Sequence, residues 1–256
     1  MLNLNEISKY YPDNLKSFQV NILREYLQYK ILEIIFNSPY ANKLSFLGGT
    51  ALRIVYNNTR FSEDIDFDNF NLKKDEFQDL IKIIEKSLIK LGLKVEIRLV
   101  FKGAWRAYIK IPKILLDNNL SSLAGQKILI QIDTAPHNFD YRVDKKILNK
   151  FDVLTQIFST PKDILLSQKI YTIFNRKKAK GRDFYDVLFL FSFTKPNYNY
   201  LNLKLNIDNQ AKLKKELLKK LKNLNMSILR KDLEPFLFSP SEAKKIDLFT
   251  QFIKDL

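Results

Sequence analysis

Two aspartates separated by one apolar residue are the clearest chemical feature of this sequence. Asp64 and Asp66 flank Ile65, and Phe67 follows. The alternation predicts a strand, and side chains two apart on a strand leave the same face of the sheet. Neighbouring carboxylates repel each other unless a cation lies between them, and a hard divalent ion such as Mg²⁺ prefers oxygen ligands. The spacing therefore predicts a metal site.

A glycine pair precedes these aspartates. Residues 44–47 are typical of a short buried strand, and Gly48-Gly49-Thr50 follows directly. The sequence predicts a helix that starts at or near Thr50, and the first amides of such a helix can hold a phosphate. A phosphate site beside two carboxylates is what nucleotide chemistry needs. The alternative is a plain strand–turn–helix with a solvated acidic strand end.

Other elements must position these residues. Apolar residues at helical spacing predict helices over 15–36 and 75–91. Alternating apolar and polar residues predict strands over 93–101, 105–111 and 126–133, and Asp133 ends the last of these. We therefore expect helices packed on a sheet, and a charged loop or edge over 140–151.

A second, helical region begins near Thr160. Thr160-Pro161-Lys162-Asp163 has the N-cap, the first-position proline and the acidic first turn of a helix start. That helix runs to about residue 176, and a basic break and a second apolar helix follow. These segments carry Lys169, Lys177, Lys178, Lys180, Arg182, Asp183 and Asp186. We predict two domains, residues 1–155 and 156–256.

The net charge of +15 favours a polyanionic partner such as nucleic acid, although lysine-rich compositional drift is an alternative. Residues 197–202 are polar and predict a linker. Residues 211–224 predict an amphipathic basic helix, and 241–256 predict a terminal helix. The lysines of the basic helix are either a solvated surface or an RNA contact, and a membrane-surface helix is a less favoured third interpretation.

Several classes of protein are made improbable by the composition. The chain of 256 residues contains no cysteine and one histidine, His137, so thiolate chemistry is excluded and histidine-based zinc sites are not expected. It lacks a twenty-residue apolar stretch and the features of a signal peptide. We therefore expect a cytoplasmic protein without a membrane partner, whose chemistry depends on carboxylates and lysines.

Gly48-Gly49-Thr50 with Asp64-Ile65-Asp66 resembles the signature of the DNA polymerase β-like nucleotidyltransferase superfamily. A longer string that includes Tyr56, Arg60, Ser62 and Phe67 resembles the AbiEii/AbiGii toxin family of type IV toxin–antitoxin and abortive-infection systems. The second region adds a lysine helix followed by Arg182-Asp183-x-x-Asp186, so the resemblance covers about residues 20–190. It implies an α+β nucleotidyltransferase fold, a mixed sheet flanked by helices, with a helical C-terminal region.

The resemblance also implies roles for individual residues. The metal, Mg²⁺ or Mn²⁺, would be held by Asp64, Asp66 and, on the strand beside them, Asp133. Asp133 is preferred to Glu96, and the alternative is that Asp133 only begins a turn. The nucleoside triphosphate would be bound by Gly48, Gly49, Thr50, Arg60, Ser62 and Lys169. Asp183 would orient or help activate the acceptor, whereas the role of Asp186 stays open.

The expected reaction is transfer of a nucleoside monophosphate to RNA, most readily the 3′ end of transfer RNA. The expected consequence is inhibition of translation and growth in phage defence, relieved by a cognate antitoxin. Two alternatives remain at this point. One is a nucleotidyltransferase that acts on a small molecule or a protein, and the other is a basic nucleic-acid-binding module with an inactive site.

Overall fold

The computed structural model describes residues 1–123, 125–136 and 138–256, so His137 lies outside the described residues. The chain divides into two compact units. The first contains Met1–Asn57 and Phe61–Thr160, and the second contains Asn58–Arg60 and Pro161–Leu256. The predicted boundary at residue 155 falls within the last strand of the first unit, because the chain leaves the sheet only after Ser159.

A seven-stranded mixed sheet forms the centre of the first unit. Its strands are β1 (Leu44–Leu47), β2 (Ile65–Asn69), β3 (Glu96–Lys102), β4 (Ala104–Pro112), β5 (Lys127–Pro136), β6 (Asp144–Lys150) and β7 (Val153–Ser159). They lie in the order β3-β4-β5-β2-β1-β7-β6. The pairs β2–β5 and β1–β7 are parallel, and the other neighbours are antiparallel. The expected α+β fold with a mixed sheet is confirmed.

The helices of the first unit are α1 (Leu4–Ser8), α2 (Gln19–Phe36), α3 (Gly48–Tyr56), α4 (Lys74–Lys90) and α5 (Ile114–Asp117). The long helix α2 begins later than its apolar spacing predicts, because Asp13–Leu15 forms a separate 3-10 turn. Ile22, Leu27 and Ile31 of α2 are fully buried. This wide apolar face packs on β5 and β7, and it covers one side of the sheet.

The second unit is helical. It contains α6 (Lys162–Asn175), α7 (Gly181–Phe191), α8 (Tyr198–Leu205), α9 (Gln210–Leu221), α10 (Met226–Leu233) and α11 (Phe249–Asp255). Residues 234–236 and 240–248 form 3-10 helices. None of the helices that the structure describes has the length and apolar character needed to cross a bilayer.

The structure differs from two predictions in this region. The predicted linker at 197–202 is largely the helix α8, because the Asn197 side chain accepts a hydrogen bond from the Tyr200 amide (3.0 Å), which caps the helix, and Leu201 is buried. The predicted terminal helix is a 3-10 helix over Pro240–Leu248 that continues as the shorter α11. Polar composition concealed α8, since asparagine at an N-cap and asparagine in a loop look alike in sequence.

The start of α7 lies unusually close to α10. Asp232 accepts hydrogen bonds from the Gly181 amide (3.0 Å) and the Lys180 ammonium (2.8 Å). A Cβ at Gly181 would collide with the carbonyl oxygen of Leu229. Glycine is therefore required here for the close approach of two backbones.

We expect Gly181→Ala to destabilise the protein by about 1–3 kcal/mol, because the added methyl group overpacks a backbone contact. Urea unfolding measures the difference. Gly125→Ala is the matched control, since a Cβ there meets nothing within 4 Å, and it should change stability by less than about 0.5 kcal/mol. Equal midpoints for the two variants would show that α10 can move away from α7 at little cost.

Candidate active site

Strand β2 places acidic side chains on one face of the sheet and apolar side chains on the other. Ile65 and Phe67 are buried, whereas Asp66 is half-buried on the opposite face. Asp64 immediately precedes the strand. In the parallel pairing with β5, Asp66 lies directly opposite Asp133, as Ile65 lies opposite Ile132. Because partners in register point to the same face, Asp66 and Asp133 share one face.

The end of β1 and the start of α3 are fitted closely to Asp66. Leu47 lies opposite Asp66 in the antiparallel pairing of β1 and β2. Gly48 has a φ of +80°, and a Cβ there would collide with the Asp66 carboxylate. The helix α3 begins at Gly48, two residues earlier than expected, and it has no side-chain N-cap. Its positive end therefore lies beside the Asp66 carboxylate, an arrangement that favours negative charge.

Buried polar side chains fix the segment before β2. The Thr50 hydroxyl is fully buried and donates to the carbonyl oxygen of Asp64. The buried Gln28 amide donates to the carbonyl oxygens of Ser62 (3.0 Å) and Glu63 (2.9 Å). Thr50, expected to bind phosphate, thus has its hydroxyl engaged in positioning the chain at Asp64. Gln28 was missed because it lies within the apolar pattern of α2 without a motif of its own.

A third aspartate shares the acidic face. Asp68 follows Asp66 by two residues, is buried, and accepts a hydrogen bond from the Tyr141 hydroxyl (2.6 Å). Burial, together with the Asp68 charge, raises the pKa of Tyr141, so this phenol stays protonated as the donor. The Tyr141 hydroxyl is also 2.8 Å from that of Thr160. Asp68 is therefore held by the protein, and the strand period that predicts Asp64 and Asp66 could also have identified it.

Asp133 is already engaged by neutral and cationic donors. The Gln131 amide is 2.9 Å from each of its carboxylate oxygens, and Arg106 Nε is 3.5 Å from one of them. Burial raises the pKa of Asp133, and the contacts with Gln131 and Arg106 only partly offset this effect.

Asp64 and Asp66 are suited to a divalent cation by chemistry, since both are carboxylates, one within β2 and one immediately before it. The described parts of the chain nevertheless contain no group of three or more His, Cys, Asp or Glu side chains arranged to hold a metal ion. Asp133 therefore lies opposite Asp66, as expected, but the three carboxylates do not form such a cluster. Asp64 and Asp66 are therefore the two carboxylates that would hold such an ion, and Asp133 stays a predicted third ligand.

The second unit contains a buried ion cluster. Asp186 is fully buried and pairs with Arg60 through Nε (2.7 Å) and Nη2 (2.6 Å). It also accepts a hydrogen bond from the Asn58 side chain (3.1 Å) and pairs with the Lys169 ammonium (2.8 Å). Burial opposes ionisation of Asp186, but Arg60 and Lys169 outweigh it and hold its pKa below the ordinary value.

The contacts of Arg60 differ from those expected of a phosphate ligand. Its side chain is 1 % exposed, and both arms of its guanidinium face Asp186. Its charge is therefore used inside the second unit. Arg60 is close to Asp64 in sequence, whereas its partner Asp186 is 126 residues away in the chain.

Lys169 and Asp183 are close to each other in the same cluster. The Lys169 ammonium is 3.8 Å from Asp183 Oδ1 and is 14 % exposed. Arg176 Nε lies 3.2 Å from Asp183 Oδ2, without the alignment of a hydrogen bond. Asp183 is thus a buried carboxylate between two cations, and one of its oxygens accepts no hydrogen bond. Of the predicted residues, the second unit holds Arg60, Lys169 and Asp183, and the first unit holds Gly48, Gly49, Thr50, Ser62, Asp64, Asp66 and Asp133.

Comparison with known families agrees with the motifs. Residues 30–253 match the model described as "Nucleotidyl transferase AbiEii toxin, Type IV TA system". The chain belongs to the AbiEii toxin family. It is therefore a nucleotidyltransferase, and the family implies a nucleoside triphosphate substrate, usually a divalent metal, and a cognate antitoxin. A comparison with curated protein sequences finds no match.

Solved structures share the fold of this AbiEii protein. JHP933 from Helicobacter pylori is 17 % identical, with a TM-score of 0.55 and 92 % of each chain covered. A candidate nucleotidyltransferase from H. pylori is 18 % identical, with a TM-score of 0.58, and the match covers 92 % of this chain and 95 % of that one. At these identities the likeness shows the fold.

We expect Arg60→Met to destabilise the AbiEii protein by about 3–5 kcal/mol, because it removes the principal counter-charge of a fully buried carboxylate. Arg230→Met is the matched control: Arg230 is 34 % exposed and pairs with Asp247 at 3.0 Å, so its loss should cost less than about 1 kcal/mol. The double variant Arg60→Met/Asp186→Leu should recover part of the loss in urea unfolding. Similar stability of Arg60→Met and Arg230→Met would contradict the proposed burial of the pair.

Proposed function

We propose that this AbiEii protein transfers a nucleoside monophosphate from a nucleoside triphosphate to an RNA acceptor, and that the acceptor is the 3′ end of transfer RNA. Loss of functional transfer RNA would inhibit translation and growth, in keeping with a role in phage defence in the cytoplasm. The observation that carries the proposal is the position of Asp66 in β2, where its carboxylate lies beside Gly48 at the start of α3 and Asp64 immediately precedes the strand.

The reaction forms a phosphodiester bond at the acceptor and breaks the phosphoanhydride bond between the α- and β-phosphates. The acceptor hydroxyl oxygen bonds to the α-phosphorus, and the bond from that phosphorus to the oxygen bridging to the β-phosphate breaks. Pyrophosphate leaves with the electron pair of the broken bond, and the hydroxyl proton passes to water or a carboxylate. Such reactions depend mainly on positioning and charge stabilisation, so residues need only be held in place with the correct charge.

The residues of this chain divide that task. The first amides of α3, which have no partner within the helix itself, would bind phosphate oxygens, as helix N-termini do. Thr50 and Gln28 hold the segment at Asp64 by their hydrogen bonds to its carbonyl groups. A Mg²⁺ or Mn²⁺ ion, held by Asp64 and Asp66, would stabilise charge on the phosphates and favour ionisation of the acceptor hydroxyl. Asp133 is the proposed third ligand, and Ser62 a further contact to the nucleotide.

Lys169 and Asp183 have proposed roles that come from the family resemblance. Lys169 is better suited than Arg60 to neutralise a triphosphate, because Lys169 is 14 % exposed and Arg60 is 1 % exposed. Asp183 would orient the acceptor. In this proposal Arg60 and Asp186 hold Lys169 in place and make no contact with the substrate.

The RNA acceptor is supported by charge. A chain with a net charge of +15 attracts polyanions and offers no excess of acidic groups to a cationic small molecule. The 3′ end of transfer RNA is single-stranded and therefore able to enter a cleft, which favours it among abundant RNAs.

Asp64→Asn and Asp66→Asn should each reduce nucleotide transfer by at least about 100-fold, because each removes a charge that a metal requires while keeping the shape of the side chain. Transfer is measured with labelled nucleoside triphosphates, total RNA and Mg²⁺ or Mn²⁺. Asp79→Asn is the matched control, since Asp79 is 54 % exposed and pairs with Lys82 on the surface of α4. Asp133→Asn tests the third ligand in the same assay. Wild-type transfer by folded Asp64→Asn and Asp66→Asn would exclude the carboxylate pair, and labelling of a product other than RNA would exclude the acceptor.

Expression of the protein alone should inhibit bacterial growth, and coexpression of the cognate antitoxin should restore growth. The double variant Asp64→Asn/Asp66→Asn should be harmless at equal expression, because toxicity follows from nucleotide transfer. The measurement is colony formation after induction. Undiminished toxicity of the double variant would separate growth inhibition from the proposed chemistry.

A further inference from the structure

Helix α9 presents a row of lysines on the side opposite its buried leucines. Lys212, Lys215, Lys219 and Lys222 are exposed, whereas Leu213, Leu217 and Leu221 are buried. At 3.6 residues per turn these lysines lie on one stripe, and the leucines lie about half a turn away. From Lys212 to Lys222 the stripe extends for about 15 Å.

The other two lysines of α9 have a different use. Lys214 donates to the carbonyl oxygen of Lys254, and Lys220 donates to that of Phe174 (3.0 Å), so both attach the helix to its surroundings. Within the described ranges, the four lysines of the stripe have no acidic side chain within ion-pair distance. The stripe therefore holds four positive charges that the fold itself does not neutralise.

The basic loop after α6 lies beside this helix. The contact of Lys220 with Phe174 places α9 next to the last turn of α6, and Lys177 and Lys178 follow that turn as exposed residues. Lys180, by contrast, is paired with Asp232 (2.8 Å). We call the exposed set the lysine track: Lys177, Lys178, Lys212, Lys215, Lys219 and Lys222.

The chemistry of the track points to one kind of partner. Helix α9 contains no aromatic residue, so it has no surface for the base stacking on which single-strand binding depends. Its leucines are buried in the second unit, so it has no apolar face to insert into a lipid surface. A row of ammonium groups on a rigid helix instead matches the regular phosphates of a double helix, and double-stranded RNA is recognised mainly through its shape and backbone.

We propose that the lysine track binds the phosphate backbone of a double-stranded RNA segment, without regard to its base sequence. The inference rests on the proposed function in that the RNA acceptor supplies the duplex. The added statement is that the protein binds a double-stranded stem of the acceptor RNA as well as its 3′ end. A structured RNA with a free end is then preferred to an unstructured strand.

The test compares two triple variants with equal loss of charge. Lys215→Gln/Lys219→Gln/Lys222→Gln alters the track, and Lys82→Gln/Lys86→Gln/Lys90→Gln alters exposed lysines at helical spacing on α4. Dissociation constants are measured over a salt series for a hairpin RNA with a single-stranded 3′ tail and for an unstructured RNA of equal length. Neither measurement needs nucleotide or turnover.

The track variant should bind the hairpin more weakly at low salt, with a salt slope smaller than that of wild type by about 2 to 3, because each lost phosphate contact contributes about 0.9. The α4 variant should retain the wild-type slope. The proposal is overturned if the track variant binds the hairpin as wild type does, or if hairpin and unstructured RNA lose affinity equally. It is also overturned if the track variant loses affinity only for vesicles of anionic lipid. If wild type labels no RNA although these slopes behave as expected, the proposed acceptor fails and the duplex-binding track stands.

Discussion

The alternation of side chains along β2 is the constraint on which the acidic face depends. Ile65 and Phe67 are buried among the apolar residues beneath α2, and this fixes the register of β2 against both neighbours. A slip of one residue would exchange the two faces, so burial of the apolar pair is what holds Asp66 and Asp68 on the other side. The hydrophobic core thus determines where the carboxylates point.

The acidic face and the start of α3 were predictable because their signals are local. A short apolar strand, two glycines and an Asp-x-Asp pattern each specify geometry over a few residues. The ion cluster was not predictable in this way, since Arg60 and Asp186 carry no local pattern that identifies them as partners. The same limit applies to Lys180. In the sequence it is one of several lysines in a loop, and no local pattern identifies its partner, Asp232 of α10.

Two parts of the second unit differ in whether their charged side chains are paired. In the buried cluster, Arg60, Lys169 and Arg176 face two carboxylates, so nearly every charge has a counter-charge, as burial requires. The exposed lysines of the stripe on α9 have no acidic partner among the described residues, and in water such a charge is inexpensive and remains available for long-range attraction. A net charge of +15 therefore does not describe the chemistry of the protein until each lysine is located.

The assignment of Asn58–Arg60 to the second unit has a consequence for synthesis of the protein on the ribosome. Arg60 leaves the ribosome 126 residues ahead of Asp186, an interval of about 6 to 25 s at bacterial and eukaryotic elongation rates. During that interval the sheet of the first unit can form, whereas the cluster around Lys169 lacks its partners. A chain that ends before Asp186 therefore lacks the carboxylate that both arms of the Arg60 guanidinium face in the complete protein.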